Sequence, residues 1–231
     1  MGNYENLQGF FESTVGQITS VAVLILLFLG VIISGKGKTT NVKTVVASAL
    51  LVALSIVLNQ ITLWQMPQGG SVSVFGMLPI VLCAYFFGTR RAVMAGMCVG
   101  MIDLIFKPYI VHPVQLLLDY PLAYGAVGFA GLIFLLKKDG LIPAYLFGVF
   151  CRYICAVLSG IIFFAAYAPE GFNAFTWSIY YNMTYLAVEA LLTVIVLAIP
   201  AVRRAFAQIK RSLARSSCEI FGKILDFTPR K

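Results

Sequence analysis

Seven apolar runs divide this chain, at about 14–34, 43–64, 71–88, 91–106, 114–136, 141–167 and 174–202. Most reach the roughly 20 residues that a helix needs to cross the hydrocarbon of a bilayer. No other feature narrows the fold as much. In hydrocarbon every backbone N–H and C=O must be satisfied within the structure, so such runs are read as helices. Charge supports this reading. Only 11% of the 231 residues are charged, against about 25% in a soluble domain. The expected fold is an all-α integral membrane protein. Its length leaves no room beside the spans for a separate nucleotide-hydrolysing domain.

Basic residues set the expected orientation, because lysine and arginine collect in cytoplasmic loops. Lys36, Lys38 and Lys43 follow the first run, Arg90 and Arg91 the third, and Lys137 and Lys138 the fifth. Eight more follow the seventh, from Arg203 to Lys231. The alternate connections carry almost none. The N-terminus is therefore expected outside and the C-terminus in the cytoplasm. The net charge of +8 is a topology signal, and no nucleic-acid partner is expected. The segment 204–231 is expected to be a basic amphipathic helix on the anionic inner leaflet. No basic residue precedes the first run and no clear cleavage site ends it, so 14–34 is expected to be a retained span. The stretch "GKGKTT" at 35–40 imitates a phosphate-binding loop, but Ile32 stands where the pattern requires glycine. Cys83, Cys98, Cys151, Cys155 and Cys218 show no C-x-x-C spacing and are expected to be packing residues.

Asp103, Asp119, Arg152 and Glu189 lie within the apolar runs. An ionised group there is costly, and it faces the bundle interior, a partner or a cavity. Arg152 and Glu189 fall near the middle of neighbouring spans and are expected to pair. Asp119 lies little more than one turn from the external end of its span, at about 1.5 Å per residue. Gln115 lies four residues before it on the same face. Pro121 follows, and a proline within a helix frees a carbonyl and kinks the segment. Other polar and aromatic residues fall at the same depth: Trp64, Tyr109, His112, Phe164, Tyr167, Trp177, Tyr180, Tyr181 and Asn182. An interfacial aromatic belt accounts for part of this set, but not for Asp119, Gln115 and Asn182. A carboxylate with amides and aromatic faces suits a flat, cationic, hydrogen-bonding molecule entering from outside. Gly69, Gly70 and Ser71, in "QMPQGGSVS", suit a mobile lid. Ala49 and Ala53 form a small-residue pair at i, i+4, as do Gly96 and Gly100, and such pairs let helices approach closely. The glycines are expected to pack within the chain.

Three stretches, "MPQGGSVS…MLPI", "YIVHPVQLLLDYPLAYGAVGFAGL" and "SGIIFFAAYAPEGFNAFTWSIYYNMTYL", together resemble the thiamine-specific substrate-binding S components of energy-coupling-factor (ECF) transporters. The resemblance covers 43–203. It implies a six-helix S-component bundle plus one extra N-terminal transmembrane helix within 1–42. It also implies a multi-pass protein of the bacterial cell membrane that captures thiamine from outside. ATP-driven uptake would then depend on a membrane coupling protein of the EcfT type and two cytosolic ATPases. By the same resemblance, the family's acidic–tyrosine pair falls on Asp119 and Tyr120, and further binding positions fall on Tyr109, Phe164, Trp177 and Asn182. The small-residue motif that docks the coupling protein falls on Ala49 and Ala53. A histidine of some members falls on Ala156. A lid tryptophan falls near Gly70, with Trp64 as its candidate substitute.

Two alternatives stay open: an S component for a thiamine precursor or other vitamin, and a stand-alone secondary carrier. An enzyme is not expected. His112 stands alone as histidine, no metal-ligand set exists, and no serine or cysteine has an evident base partner. Neither a metal nor a cofactor is expected.

Overall fold

The computed structural model describes residues 42–136 and 140–226, with scattered positions between 15 and 33. Those scattered positions are helical and exposed; the rest of the expected first span lies outside the described residues. The described elements are α1 (Val42–Gln60), β1 (Thr62–Gln65), β2 (Ser71–Ser73), α2 (Leu78–Phe87) and α3 (Thr89–Phe106). They continue with α4 (Pro113–Leu136), α5 (Leu141–Phe163), α6 (Ala174–Ala198) and α7 (Pro200–Asp226).

Among the described residues α1, α4, α5 and α6 are long and apolar enough to cross a membrane. Helix α1 shows the logic of a lipid-facing element. Its buried residues are Ser55 and Asn59, whereas Val45, Val46, Leu50, Leu54 and Val57 are exposed. A helix in water turns its apolar stripe inward; this one turns its polar residues inward. Ser55 Oγ donates to the Gly76 carbonyl at 2.5 Å.

Two expected helices are shorter than their apolar runs. The run 43–64 stops being helical at Gln60, and the run 71–88 becomes helical only at Leu78. Between them β1 and β2 form an antiparallel pair, with Trp64 opposite Val72 and Gln65 opposite Ser71. Serines compete for helical backbone bonds and Val72 is β-branched, so this segment gains more from strand pairing. Gln68 and Gly69 adopt left-handed conformations, φ 64° and 87°, in the tight connection between the strands.

Helix α4 is the centre of the bundle, packed on α3 and α5. Pro121 cannot donate a backbone bond, and the helix widens into a π turn at Leu118–Leu122. Such bulges re-aim side chains and recur at functional sites. Gly96 and Gly100 of α3 pack against the Tyr124 and Tyr120 carbonyls of α4, where a Cβ would collide. The glycine pair thus serves packing within the chain.

The expected Arg152–Glu189 pair does not form. The Glu189 carboxylate accepts from Ser73 Oγ at 2.9 Å and from the Met77 amide at 3.4 Å. Arg152 lies over the Tyr124 ring instead, its Cζ 3.9 Å from the centroid. Residue depth placed both groups mid-span, but the azimuth of each helix turned them to different neighbours.

Helix α7 begins before the expected tail. Val202 and Phe206 pack on the core, whereas Arg203, Arg204, Arg211 and Arg215 are exposed. Lys210 places its ammonium 3.7 Å from the centroid of Tyr85 on α2.

Candidate substrate-binding cavity

The β1–β2 connection, α3, the first half of α4, α5 and α6 surround one cavity. Its atom-free space, with the open mouth included, is ≈ 900 Å³.

One wall is the π turn. Asp119 stands there, half-buried, and lines the cavity. Gln115, only 1% exposed, donates from Nε2 to Asp119 Oδ2 at 2.6 Å and to the Tyr109 carbonyl at 3.2 Å. Its Oε1 accepts from the Val111 amide at 3.1 Å. Every polar atom of Gln115 is therefore committed, and its role is to orient Asp119 and the 109–111 backbone. Tyr120 is similarly occupied: its hydroxyl accepts from the Tyr109 amide and donates to the Lys107 carbonyl. The loop before α4 is thereby tied to the wall. His112 caps α4, its Nδ1 accepting from the Val114 amide at 3.2 Å, and stacks on Phe163 outside the cavity.

Helix α6 supplies the opposite wall. It starts cleanly because Asn173 and Thr176 form a reciprocal capping box, which fixes the azimuth of Trp177, Tyr181 and Asn182. Asn182 Nδ2 donates to the Ser178 carbonyl at 2.9 Å, and its Oδ1 accepts from Tyr185 Oη at 2.9 Å. Trp177 and Tyr181 sit 5.8 Å apart between ring centroids, and Tyr109 and Phe164 stack at 6.0 Å. Aromatic faces thus line two sides.

The hairpin covers the cavity. Gly69 and Gly70 border it. The Gly70 amide donates to Tyr181 Oη at 3.0 Å, and the Tyr181 hydroxyl donates in turn to the Pro67 carbonyl. Glycine is required twice here: a Cβ on Gly69 would meet the Tyr109 ring at 2.9 Å, and one on Gly70 would meet Tyr181 Oη at 2.5 Å.

The floor is polar. Tyr124 Oη donates to Asp103 Oδ2 at 2.7 Å, with Arg152 stacked above the same ring. Asp103 Oδ1, Arg152 Nη1 and Ser159 Oγ are buried without a hydrogen-bond partner. All three residues line the cavity.

The profile of the thiamine transporter protein family (Thia_YuaJ) matches residues 45–208. The chain belongs to this thiamine transporter family. Two relatives carry the name thiamine transporter ThiT. One, from Bacillus subtilis (strain 168), is 33% identical over 164 residues, 64% of this chain and 85% of the relative. Another, from Lacticaseibacillus paracasei, is 30% identical over 141 residues, 54% of this chain and 70% of the relative. The solved structure of ThiT from Listeria monocytogenes superposes with a TM-score of 0.54 at 26% identity, covering 75% of this chain and 94% of that one. These relatives are named as transporters, not as enzymes. The transporter described here is a membrane protein of the same kind.

Of the residues expected at its site, the cavity brings together Asp119, Tyr120, Tyr109, Gln115, Trp177, Asn182 and Phe164, with Gly69, Gly70 and Ser71 above them. Tyr167 packs behind Phe164 at 5.9 Å and does not line the cavity. Trp64 is 69% exposed on β1 and does not line it either; an odd number of residues along the strand would be needed to turn it inward. Sequence reasoning missed Arg152, Ser159, Tyr185 and Tyr124 as lining residues. Arg152 carried a usable signal, an arginine at mid-span, and it was spent on the expected pair with Glu189.

Proposed function

We propose that this transporter is the substrate-binding membrane subunit of an ECF-type importer and captures thiamine from outside the cell. One observation carries the reading: an oriented carboxylate, Asp119, shares a cavity with stacked aromatic rings under a glycine-bearing hairpin. Thiamine has a hydrogen-bonding aminopyrimidine, a cationic thiazolium ring and a hydroxyethyl arm. Asp119 accepts from the aminopyrimidine. Tyr109, Phe164 and Trp177 supply faces for the rings, a favourable setting for a desolvated cation. The hairpin with Gly69, Gly70 and Ser71 is the lid.

The coupling protein docks on α1, where Ala49 and Ala53 are both exposed; two cytosolic ATPases provide the energy. In this reading 43–203 is the binding domain, 1–42 an additional helix and loop, and 204–231 a tail on the inner leaflet. The N-terminus is external and the C-terminus cytoplasmic. Calorimetry of the purified protein against thiamine and its pyrimidine precursor tests the ligand; selective binding of the precursor would replace thiamine. Uptake in cells with and without the coupling ATPases tests the assembly, and undiminished uptake without them would make the protein a stand-alone carrier.

A further inference from the structure

From the unmet groups on the cavity floor we infer that Asp103 and Arg152 form an alcohol-reading subsite, which selects the free hydroxyethyl arm of thiamine over its phosphate ester. This rests on the thiamine reading above and assigns the end of the ligand remote from Asp119.

Position comes first. Asp103 lies on α3, Tyr124 on α4 and Arg152 on α5, so three helices converge at the floor. Tyr124 joins them, donating to Asp103 Oδ2 at 2.7 Å while Arg152 covers its ring at 3.9 Å. Tyr124 follows Asp119 by five residues along α4, about 7 to 8 Å at the helical rise. That separation suits opposite ends of one vitamin-sized ligand.

Valence comes next. Asp103 is 6% exposed and keeps one carboxylate oxygen, Oδ1, without a donor. Arg152 keeps one guanidinium nitrogen, Nη1, without an acceptor. A buried polar atom left unmet is costly, so its partner is expected from what the cavity takes in. Both residues line the cavity and both touch Tyr124; one unmet acceptor and one unmet donor are together the complement of a hydroxyl, which both donates and accepts. They are not the complement of a phosphate. A phosphate ester has no proton to give Asp103 near neutral pH, and its charge is repelled by that carboxylate. Arg152 alone would welcome a phosphate; Asp103 reverses the preference. A site that bonds a hydroxyl also discriminates strongly against the analogue lacking it, because its own groups are left unpaired.

The test compares thiamine, thiamine monophosphate and deoxythiamine (ethyl in place of hydroxyethyl) by calorimetry on the wild type, Asp103→Asn and Arg152→Gln. The wild type is expected to bind deoxythiamine at least tenfold more weakly than thiamine, and the monophosphate more weakly still. In Asp103→Asn the gap between thiamine and the monophosphate is expected to narrow at least tenfold. In Arg152→Gln it is expected to widen. Equal wild-type affinity for thiamine and deoxythiamine would overturn the inference whether or not the variants fold. So would an unchanged monophosphate gap in a folded Asp103→Asn. Wild-type protein that ignores thiamine altogether would instead remove the reading on which the subsite rests. Asp119→Asn separates the two ends: it is expected to weaken all three ligands alike and leave their ratios in place.

Discussion

Replacing Asp119 by alanine is the sharpest test of the cavity. The carboxylate is held by Gln115 at 2.6 Å and stands on a π turn that offers it to the cavity. In the proposed complex it makes a charge-assisted hydrogen bond to the aminopyrimidine, worth about 1.5–3 kcal/mol. It also faces the thiazolium charge. At roughly 8 Å and an effective dielectric near 20, Coulomb's law gives about 2 kcal/mol for that attraction. Gln115 Nε2 loses one partner but keeps the Tyr109 carbonyl, so the free protein relaxes little. The sum is about 3.5–5 kcal/mol, or roughly 300- to 4,000-fold in affinity at 1.4 kcal/mol per decade. Intrinsic fluorescence provides the assay. The chain has two tryptophans, and only Trp177 lines the cavity, so ligand binding reports through one indole. Full thiamine affinity in the folded variant would refute the role assigned to Asp119 and the charge argument with it.

Other expected outcomes follow from the same geometry. Trp64→Phe should preserve the fluorescence change on binding, and Trp177→Phe should abolish it, read by titration of each variant. Tyr181→Phe removes the hydroxyl that holds Gly70 and Pro67; at about 1 kcal/mol per bond, stopped-flow dissociation should accelerate roughly 5- to 30-fold. Gly100→Val forces side-chain carbon into the Tyr120 carbonyl and should cost at least about 1–3 kcal/mol, seen as a lowered Tm in detergent. Glu189→Ala strips the Met77 amide of its acceptor and leaves Ser73 Oγ only Asn59 Oδ1, and should lower Tm by a comparable amount.

The sequence made some elements legible and hid others for identifiable reasons. Asp119 and Gln115 stood out because polar groups in an apolar run have few physical justifications. Asn182 and Trp177 stood out by depth. The hairpin was hidden, because Leu63, Trp64 and Val72 extend the neighbouring apolar runs without a break. The floor was hidden for a different reason. Helices in lipid are apolar on nearly every side, so periodicity does not show which way Asp103 or Arg152 points. Arg152 could be placed in depth but not around its axis, and the plausible carboxylate one helix away proved to be bonded to Ser73 and Met77. Trp64 failed similarly: it lies near the lid in sequence, but strand alternation turns it outward.

The glycine contacts between α3 and the π turn carry a mechanical consequence. With Gly100 seated on the Tyr120 carbonyl and Gly96 on that of Tyr124, the two helices have no slack to slide past each other. Whatever tilts the one drags the other, so Asp103 and Asp119 travel as fixed jaws of a single clamp. Release must then come from the parts that are not welded to it: the hairpin above and the Tyr181 catch that fastens it.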